Sequence, residues 1–265
     1  MLPEYRASHG HPSHHRSRML IPSGVRGQVI PRYRAASIRF DRIRGCRIVH
    51  VLHIGKTGGT AVKTALGRGR RCATRVIPHP HAFTLADVPN GDFCVFFVRD
   101  PITRYVSGFY SRQREGRPHY EEPWTDGERR AFGTFGTPND LALALSSDQE
   151  SRGGEAVRAL QSIQHVKDSY WRWLKDEAYL AQRRASILFV GAQENLARDY
   201  GQLSEILGRG GELPRSDAGA HRNPAGLDYG LAGEAVENLR KWYSRDYACL
   251  RLLSSWYNHL PKYDE

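Results

Sequence analysis

Short apolar runs, each followed by a segment with helical periodicity, constrain the fold of this chain more than any other feature. The runs are CRIVHVLHI (46–54), DFCVFFV (92–98) and SILFVG (186–191), and TRVI (74–77) is a shorter candidate. Largely apolar runs rich in β-branched and aromatic residues are typical of strands buried on both faces. Strands that alternate with helices predict an α/β fold. We expect a P-loop-like arrangement of three layers, α/β/α, around a central, mostly parallel sheet.

The segments between these runs carry the start and stop signals of helices. Pro101 stands at a first-turn position, where proline is tolerated, and Gly208 follows the last periodic residue of its segment. Helices are predicted over residues 60–67, 101–114, 125–132, 137–147, 152–183, 193–208 and 231–258.

Residues 1–44 differ in composition from the rest of the chain. They are rich in Arg, His, Ser, Pro and Gly, and their only acidic residues are Glu4 and Asp41. A segment of this composition buries too little apolar surface to fold by itself, so we predict a basic, mostly disordered tail. Residues 45–265 are predicted to form one folded domain.

The charge balance favours anionic partners. The chain has 39 Lys and Arg residues against 28 Asp and Glu residues, which gives a formal net charge of +11. Such a charge suits nucleic acids, anionic membranes, polyanionic sugars and multiply phosphorylated cofactors alike. Because part of the charge belongs to the tail, the charge alone does not choose among these partners.

Cysteine usage and hydropathy predict a cytoplasmic protein. No apolar stretch approaches the roughly 18 residues that span a membrane. The N-terminal sequence also lacks the unbroken apolar core of a signal peptide. The cysteines form no CxxC pair, which is typical of free thiols in a reducing compartment; they are Cys46, Cys72, Cys94 and Cys249.

The turn after the first predicted strand has the composition of a phosphate-binding loop. In IGKTGGT (54–60), two glycines let the backbone approach a ligand closely, and a lysine supplies a positive charge. Backbone N–H groups at the start of the following helix favour an anion. The residues predicted to bind the phosphate are Lys56, Thr57, Gly58, Gly59 and Thr60.

An ATP-binding Walker A loop fits this turn poorly. That motif is GxxxxGK[ST], which would place its first glycine five residues before Gly55. The residue at that position is His50, and the other two glycines follow the lysine instead of preceding it. The chain therefore has half of the motif, and a different phosphorylated ligand is favoured.

A second basic motif follows the second long strand. In FFVRDPITRYVSGFYSR (96–112), Arg99 leaves the sheet at its carboxyl edge and Ser107 lies eight residues later, inside the next helix. Eight residues are a little over two helical turns, so both side chains could face one anion. The alternative is structural: an Arg–Asp pair at the helix start and a small serine packed in its interior.

The two motifs resemble those of sulfotransferases that use 3′-phosphoadenosine 5′-phosphosulfate (PAPS). HIGKTGGT is similar to the 5′-phosphosulfate loop of that family, and VRDPITRYVSGFY is similar to its 3′-phosphate motif, RDPxxRxxSxF/Y. The segments FVGAQENLARDYGQLSEILG, HRNP and KWYSRDYACL extend the likeness over most of residues 46–258. It is strongest to the branch that contains heparan-sulfate 2-O-sulfotransferase and its bacterial relatives.

The resemblance implies roles for individual residues. Lys56 and the loop up to Thr60 would hold the 5′-phosphosulfate, and Lys56 would also neutralise charge on the leaving phosphate. Arg99 and Ser107 would hold the 3′-phosphate, and Arg222 in HRNP would lie near the nucleotide. The family requires no metal, and its acceptor would be a hydroxyl, here of a carbohydrate or glycoconjugate.

The acceptor hydroxyl needs a general base, for which a histidine is suited at neutral pH. In related carbohydrate enzymes a His-x-His stretch after the second strand supplies this base. Here the stretch is IPHPHAFTL (77–85), with Pro80 where the family often has glycine, so both His79 and His81 are candidates. His81 is preferred. His53 is a weaker candidate, and His165 is expected to be a core residue on an aromatic-rich helix.

Two other functions compete with a sulfotransferase. A P-loop nucleotide kinase would bind Mg-ATP, but it lacks the first Walker glycine. A non-catalytic polyanion-binding protein would account for the charge, and its affinity would fall steeply with salt. It leaves the order of the two anion motifs unexplained, so neither nucleic acid nor a membrane is the expected partner.

Overall fold

The computed structural model describes residues 36–67, 69–71, 73–118, 120–210, 212–213 and 230–263. The chain divides into two compact units, Met1–Phe40 and Asp41–Glu265. In the first unit the described residues, 36–40, are helical. The tail predicted over residues 1–44 thus lies largely outside the described residues.

A five-stranded sheet in the order β2-β3-β1-β4-β5 organises the second unit. β1 pairs in parallel with β3 and β4, and β4 pairs in parallel with β5. These four strands confirm the predicted α/β class with a mostly parallel sheet. β2 is a short antiparallel edge strand that was not predicted. The strands are β1 (Arg47–Val51), β2 (Gly69–Arg71), β3 (Thr74–Pro78), β4 (Phe93–Val98) and β5 (Ile187–Ala192).

Helices account for most of the remaining described residues. In the described part of the chain, no helix is both long and apolar enough to cross a membrane. Single 3₁₀ turns lie at Leu85–Asp87, Ala144–Ser146, Arg184–Ser186 and Gln193–Asn195. The helices are α1 (Gly59–Leu66), α2 (Pro101–Gln113), α3 (Asp126–Thr134), α4 (Pro138–Leu143), α5 (Glu150–Ser162), α6 (Trp171–Leu174), α7 (Glu177–Gln182), α8 (Leu196–Ile206), α9 (Gly233–Trp242) and α10 (Ser244–Trp256).

Two of the predicted helices are interrupted. The predicted helix over 152–183 is three helices, α5 to α7. α5 ends where Ile163 takes an extended conformation (φ −68°, ψ 118°), and α6 ends at Lys175, whose positive φ (73°) does not continue a right-handed helix. Asp176 then caps α7, accepting a hydrogen bond from the Tyr179 N–H at 2.8 Å. The predicted helix over 231–258 likewise divides at Tyr243 into α9 and α10.

The sheet separates two apolar clusters, as a three-layer fold requires. Alternate side chains of a strand point to opposite faces. In β4, Val95 and Phe97 belong to a cluster with residues of α1 and α8. Cys94, Phe96 and Val98 belong to a larger cluster with residues of α2 to α7, α9 and α10. Helices therefore cover both faces of the sheet.

The strand order gives a topological switch point between β1 and β4. From β1 the chain passes through α1 to β3 on one side of β1, whereas from β4 it proceeds to β5 on the other side. The connections after β1 and β4 thus diverge although the two strands are neighbours. In open α/β sheets, ligands bind at the carboxyl ends of strands at such a switch point. The two predicted anion motifs follow these two strands.

Three of the four cysteines lie in the described residues. Cys46 is partly buried, and Cys94 in β4 and Cys249 in α10 are both 0% exposed. Burial raises the pKa of Cys94 to about 12 and raises that of Cys249 as well. Cys72 lies outside the described residues.

Candidate functional site

The loop after β1 turns sharply into α1. Lys56 (φ 66°) and Gly58 (φ 81°) are both left-handed, and the Thr57 hydroxyl donates to the Ile54 carbonyl at 3.0 Å, closing the turn. As at the start of any helix, the first-turn N–H groups of residues 59–61, which include Thr60, have no intrahelical acceptor. The N-cap residue, Gly58, offers them no side-chain acceptor. Backbone N–H groups at the start of a helix favour an anion, and phosphate binding by this loop stays a prediction.

Lys56 lies in a strongly positive environment. Burial, followed by the nearby positive charges of Arg99 and Arg114, lowers the pKa of Lys56 to about 8. Like charges are brought together here at a cost that an anionic ligand would remove.

Arg99 joins the second motif to the first. Its Nη1 donates to the Lys56 carbonyl at 3.4 Å, and its Nε donates to the Thr103 hydroxyl at 3.0 Å. The Tyr170 hydroxyl fixes the Arg99 backbone, accepting from its N–H at 2.9 Å and donating to its carbonyl at 2.6 Å. Asp100 caps α2 by accepting from the Thr103 N–H at 2.9 Å. The two motifs therefore meet at the switch point.

The remaining predicted nucleotide residues are placed less closely. Ser107 lies in α2 and is 5% exposed. Its neighbour Gly108 faces the turn after α5, since a Cβ on Gly108 would be 3.4 Å from the Cβ of His165. A role for Ser107 in anion binding stays a prediction. Arg222 lies outside the described residues.

His81 is held with one ring nitrogen available to a substrate. Its Nδ1 lies 2.8 Å from the His53 carbonyl oxygen. A carbonyl only accepts, so this contact assigns the proton to Nδ1 and leaves the lone pair of neutral His81 on Nε2. The rings of His53 and His81 stack with centroids 3.8 Å apart, and Trp173 Nε1 donates to the His81 carbonyl at 2.8 Å. Burial lowers the pKa of His81, which favours the neutral form.

His79 faces a different group of residues. Its Nε2 is 2.8 Å from Nδ1 of His50, whose Nε2 is 2.9 Å from the Asp92 carboxylate. The carboxylate accepts from His50, so His50 in its neutral form accepts from His79. Burial, followed by the influence of His50, lowers the pKa of His79 to about 4. The His79 ring also stacks on Phe83 at 3.4 Å. Nε2 of His79 is therefore committed to the protein.

Arg104, which sequence reasoning did not single out, lies in α2 and binds the backbone of the loop after β1. It is 1% exposed. Its Nε donates to the Gly55 carbonyl at 3.0 Å and its Nη2 to the Asp168 carbonyl at 2.6 Å. Its Nη1 lies 3.6 Å from the buried Asp246 carboxylate. The only signal in the sequence is a second arginine in RDPITR.

We expect Arg104→Met to lower the free energy of unfolding by about 3–5 kcal/mol, because it leaves the Asp246 carboxylate buried without its cation. Urea unfolding followed by circular dichroism measures the change. Arg240 is exposed on α9, and Arg240→Met serves as a control that should stay within about 0.5 kcal/mol of the natural chain. Equal stability of the two variants would contradict the structural role of Arg104.

His165 is closer to the site than the sequence predicts. It lies in the turn after α5 and not on a helix. A Cβ at Gly55 would be 2.9 Å from Nδ1 of His165, and the rings of His81 and His165 are 5.5 Å apart. Burial lowers the pKa of His165 well below its ordinary value, and the charge of Lys56 acts in the same direction. A neutral His165 thus forms part of the wall beside the loop.

The comparisons with known proteins assign no family to this chain. Among the described residues, no group of three or more His, Cys, Asp or Glu side chains is arranged to hold a metal ion. No protein-family model matches the chain, and no curated protein matches it.

Proposed function

We propose that the protein is a PAPS-dependent sulfotransferase that transfers a sulfuryl group to an acceptor hydroxyl. The acceptor proposed is a carbohydrate or glycoconjugate, following the resemblance of the two motifs. The observation that carries the proposal is that the Lys56 loop, Arg99 and His81 lie at the carboxyl ends of the adjacent strands β1, β4 and β3. An anion site and a neutral histidine at one sheet edge are what sulfuryl transfer to a hydroxyl requires.

The residues at these strand ends suit PAPS, the proposed sulfuryl donor. Lys56 and the N–H groups at the start of α1 would hold the 5′-phosphosulfate. Arg99 and Ser107 would hold the 3′-phosphate, with Arg222 assigned to the nucleotide by the resemblance alone. The lowered pKa of Lys56 supports an anionic ligand, because neighbouring cations and burial both disfavour its charge until an anion is bound. When bound, PAPS supplies an activated sulfuryl group.

His81 is proposed to accept the proton of the acceptor hydroxyl at Nε2. As Nε2 gains the proton, the bond from Nδ1 to the His53 carbonyl stays in place and stabilises the imidazolium. Lys56 would stabilise the charge that grows on the leaving phosphate, a contribution that is largest in a partly dry site. The chain thus supplies orientation, charge stabilisation and a base.

Binding of adenosine 3′,5′-bisphosphate should be tight near pH 7 and weaker above pH 8. The pKa of Lys56 is about 8 in the free protein, and a bound phosphate would raise it. Binding strength is therefore complete below pH 8 and is lost as Lys56 deprotonates. We expect the Kd to rise by roughly tenfold between pH 7 and pH 9.5. Isothermal titration calorimetry measures the Kd at each pH, and thermal shift compares ligands at one pH.

Two comparisons control this experiment. Lys56→Met should bind more weakly at pH 7 and show a flatter pH dependence. At 100 times its Kd, a ligand stabilises the fold by about 2.7 kcal/mol, so the bisphosphate without metal should raise the Tm. A larger Tm shift with Mg-ATP would overturn the sulfotransferase proposal in favour of a kinase.

A further inference from the structure

Lys63 contacts one member of each of two histidine pairs, His53–His81 and His50–His79. It lies in α1, and its Nζ is 2.7 Å from Nδ1 of His53. The same Nζ donates to the carbonyl of His79 at 3.3 Å. One cation thus links the residue that stacks on His81 to the segment that carries His79 and His81.

The contact defines the state of His53. An ammonium group has three donors and no acceptor, so Nδ1 of His53 accepts, and the proton of the neutral ring is on Nε2. The ring has little freedom to move, because a Cβ at Gly59 would lie 2.5 Å from its Cδ2. On its other face it stacks on His81, whose Nδ1 donates to the His53 carbonyl. Lys63 and His81 are therefore connected through His53.

We propose that Lys63 is a positioning residue for His81, fixing His53 against it and placing a positive charge where a protonated His81 would be disfavoured. This inference rests on the proposed function of His81 as the base. The inference goes beyond that function because it concerns which residue positions His81, and not which residue is the base. Lys63 lies one helical turn beyond the phosphate loop, outside both motifs that suggested the activity.

The charges that face His81 come from several elements. After burial, which is the main cause, Lys63 from α1 and Arg172 from α6 lower the pKa of His81. The hydrogen bond to the His53 carbonyl and the Asp168 carboxylate raise it. His165, from the turn after α5, is close enough to interact with His81 as well. Asp168 and Arg172 form an ion pair, so their opposite effects on His81 partly cancel, whereas the charge of Lys63 is held in place by its contact with His53.

The test is a titration of His81 in the full chain by NMR of histidine ring protons, with the signal assigned by its loss in His81→Ala. In Lys63→Met the titration midpoint of His81 should move to higher pH. In Lys63→Arg, which keeps the cation, it should stay near that of the natural chain. Lys63→Gln keeps a donor for His53 but removes the charge, so it should follow the methionine variant. It also substitutes for that variant if methionine prevents folding.

Lys241, exposed on α9, offers a matched control, since Lys241→Met removes the same charge elsewhere and should leave the midpoint unchanged. An unchanged midpoint in folded Lys63→Met and Lys63→Gln would overturn the proposal. The titration needs no turnover, so it is independent of whether the chain transfers sulfuryl groups. If it does, the acid limb of the pH–rate profile should move to higher pH in the same variants and return in Lys63→Arg.

Discussion

Replacing His81 with alanine is expected to lower turnover by about 10²–10⁴-fold, the usual contribution of a positioned general base. The affinity for adenosine 3′,5′-bisphosphate should not change, because the described contacts of His81 are with His53, Trp173 and neighbouring rings and not with the phosphate loop. The measurements are the rate of sulfuryl transfer with saturating PAPS and the Kd of the bisphosphate.

The matched control is His79→Ala. Nε2 of His79 is bonded to His50, so its removal should change turnover by less than His81→Ala does. A larger loss in His79→Ala would reverse the assignment of the base. Near-normal turnover in His81→Ala would exclude His81 from proton transfer altogether.

Replacing Lys56 with alanine has the second largest expected effect. Hydrogen bonds to charged groups contribute about 1.5–3 kcal/mol, so the Kd of the bisphosphate should rise by roughly 10- to 100-fold. Turnover should fall further, because Lys56 is also assigned to the charge that grows on the leaving phosphate. Calorimetry gives the first quantity and initial rates give the second.

Lys241→Ala removes one positive charge from an exposed position and tests whether the effect of Lys56 is local. It should leave the Kd within a factor of two or so at physiological salt, because exposed charges are screened over about 8 Å. If Lys56→Ala and Lys241→Ala weaken binding equally, the loop is not the phosphate site.

The strands and the meeting of the two motifs could be predicted from the sequence. Apolar runs rich in β-branched and aromatic residues, such as 46–54 and 92–98, favour buried strands. Parallel strands bring their carboxyl ends to one edge, which favours the proximity of Lys56 after β1 and Arg99 after β4. The 3.4 Å contact between Arg99 and the Lys56 carbonyl agrees with that expectation.

The supporting residues could not be predicted, for two physical reasons. Lys175, at the end of α6, and His165, in the turn after α5, adopt positive φ without being glycine, and their residue types give no sign of it. Arg104 and Lys63 act on backbone carbonyls and ring nitrogens whose positions depend on tertiary packing. Only once α1 and α2 lie against the loop do these long side chains have definite partners.

Two fully buried thiols, Cys94 and Cys249, can report on local opening of the fold. A thiol reacts with alkylating reagents as the thiolate, and Cys94, with a pKa of about 12 and no exposed surface, offers almost none while the sheet is intact. Its rate of alkylation therefore counts the openings of β4, the strand that ends directly before Arg99. Cys249 reports in the same way on α10. Opening of the sheet and of α10 can thus be measured separately, without introducing a new cysteine.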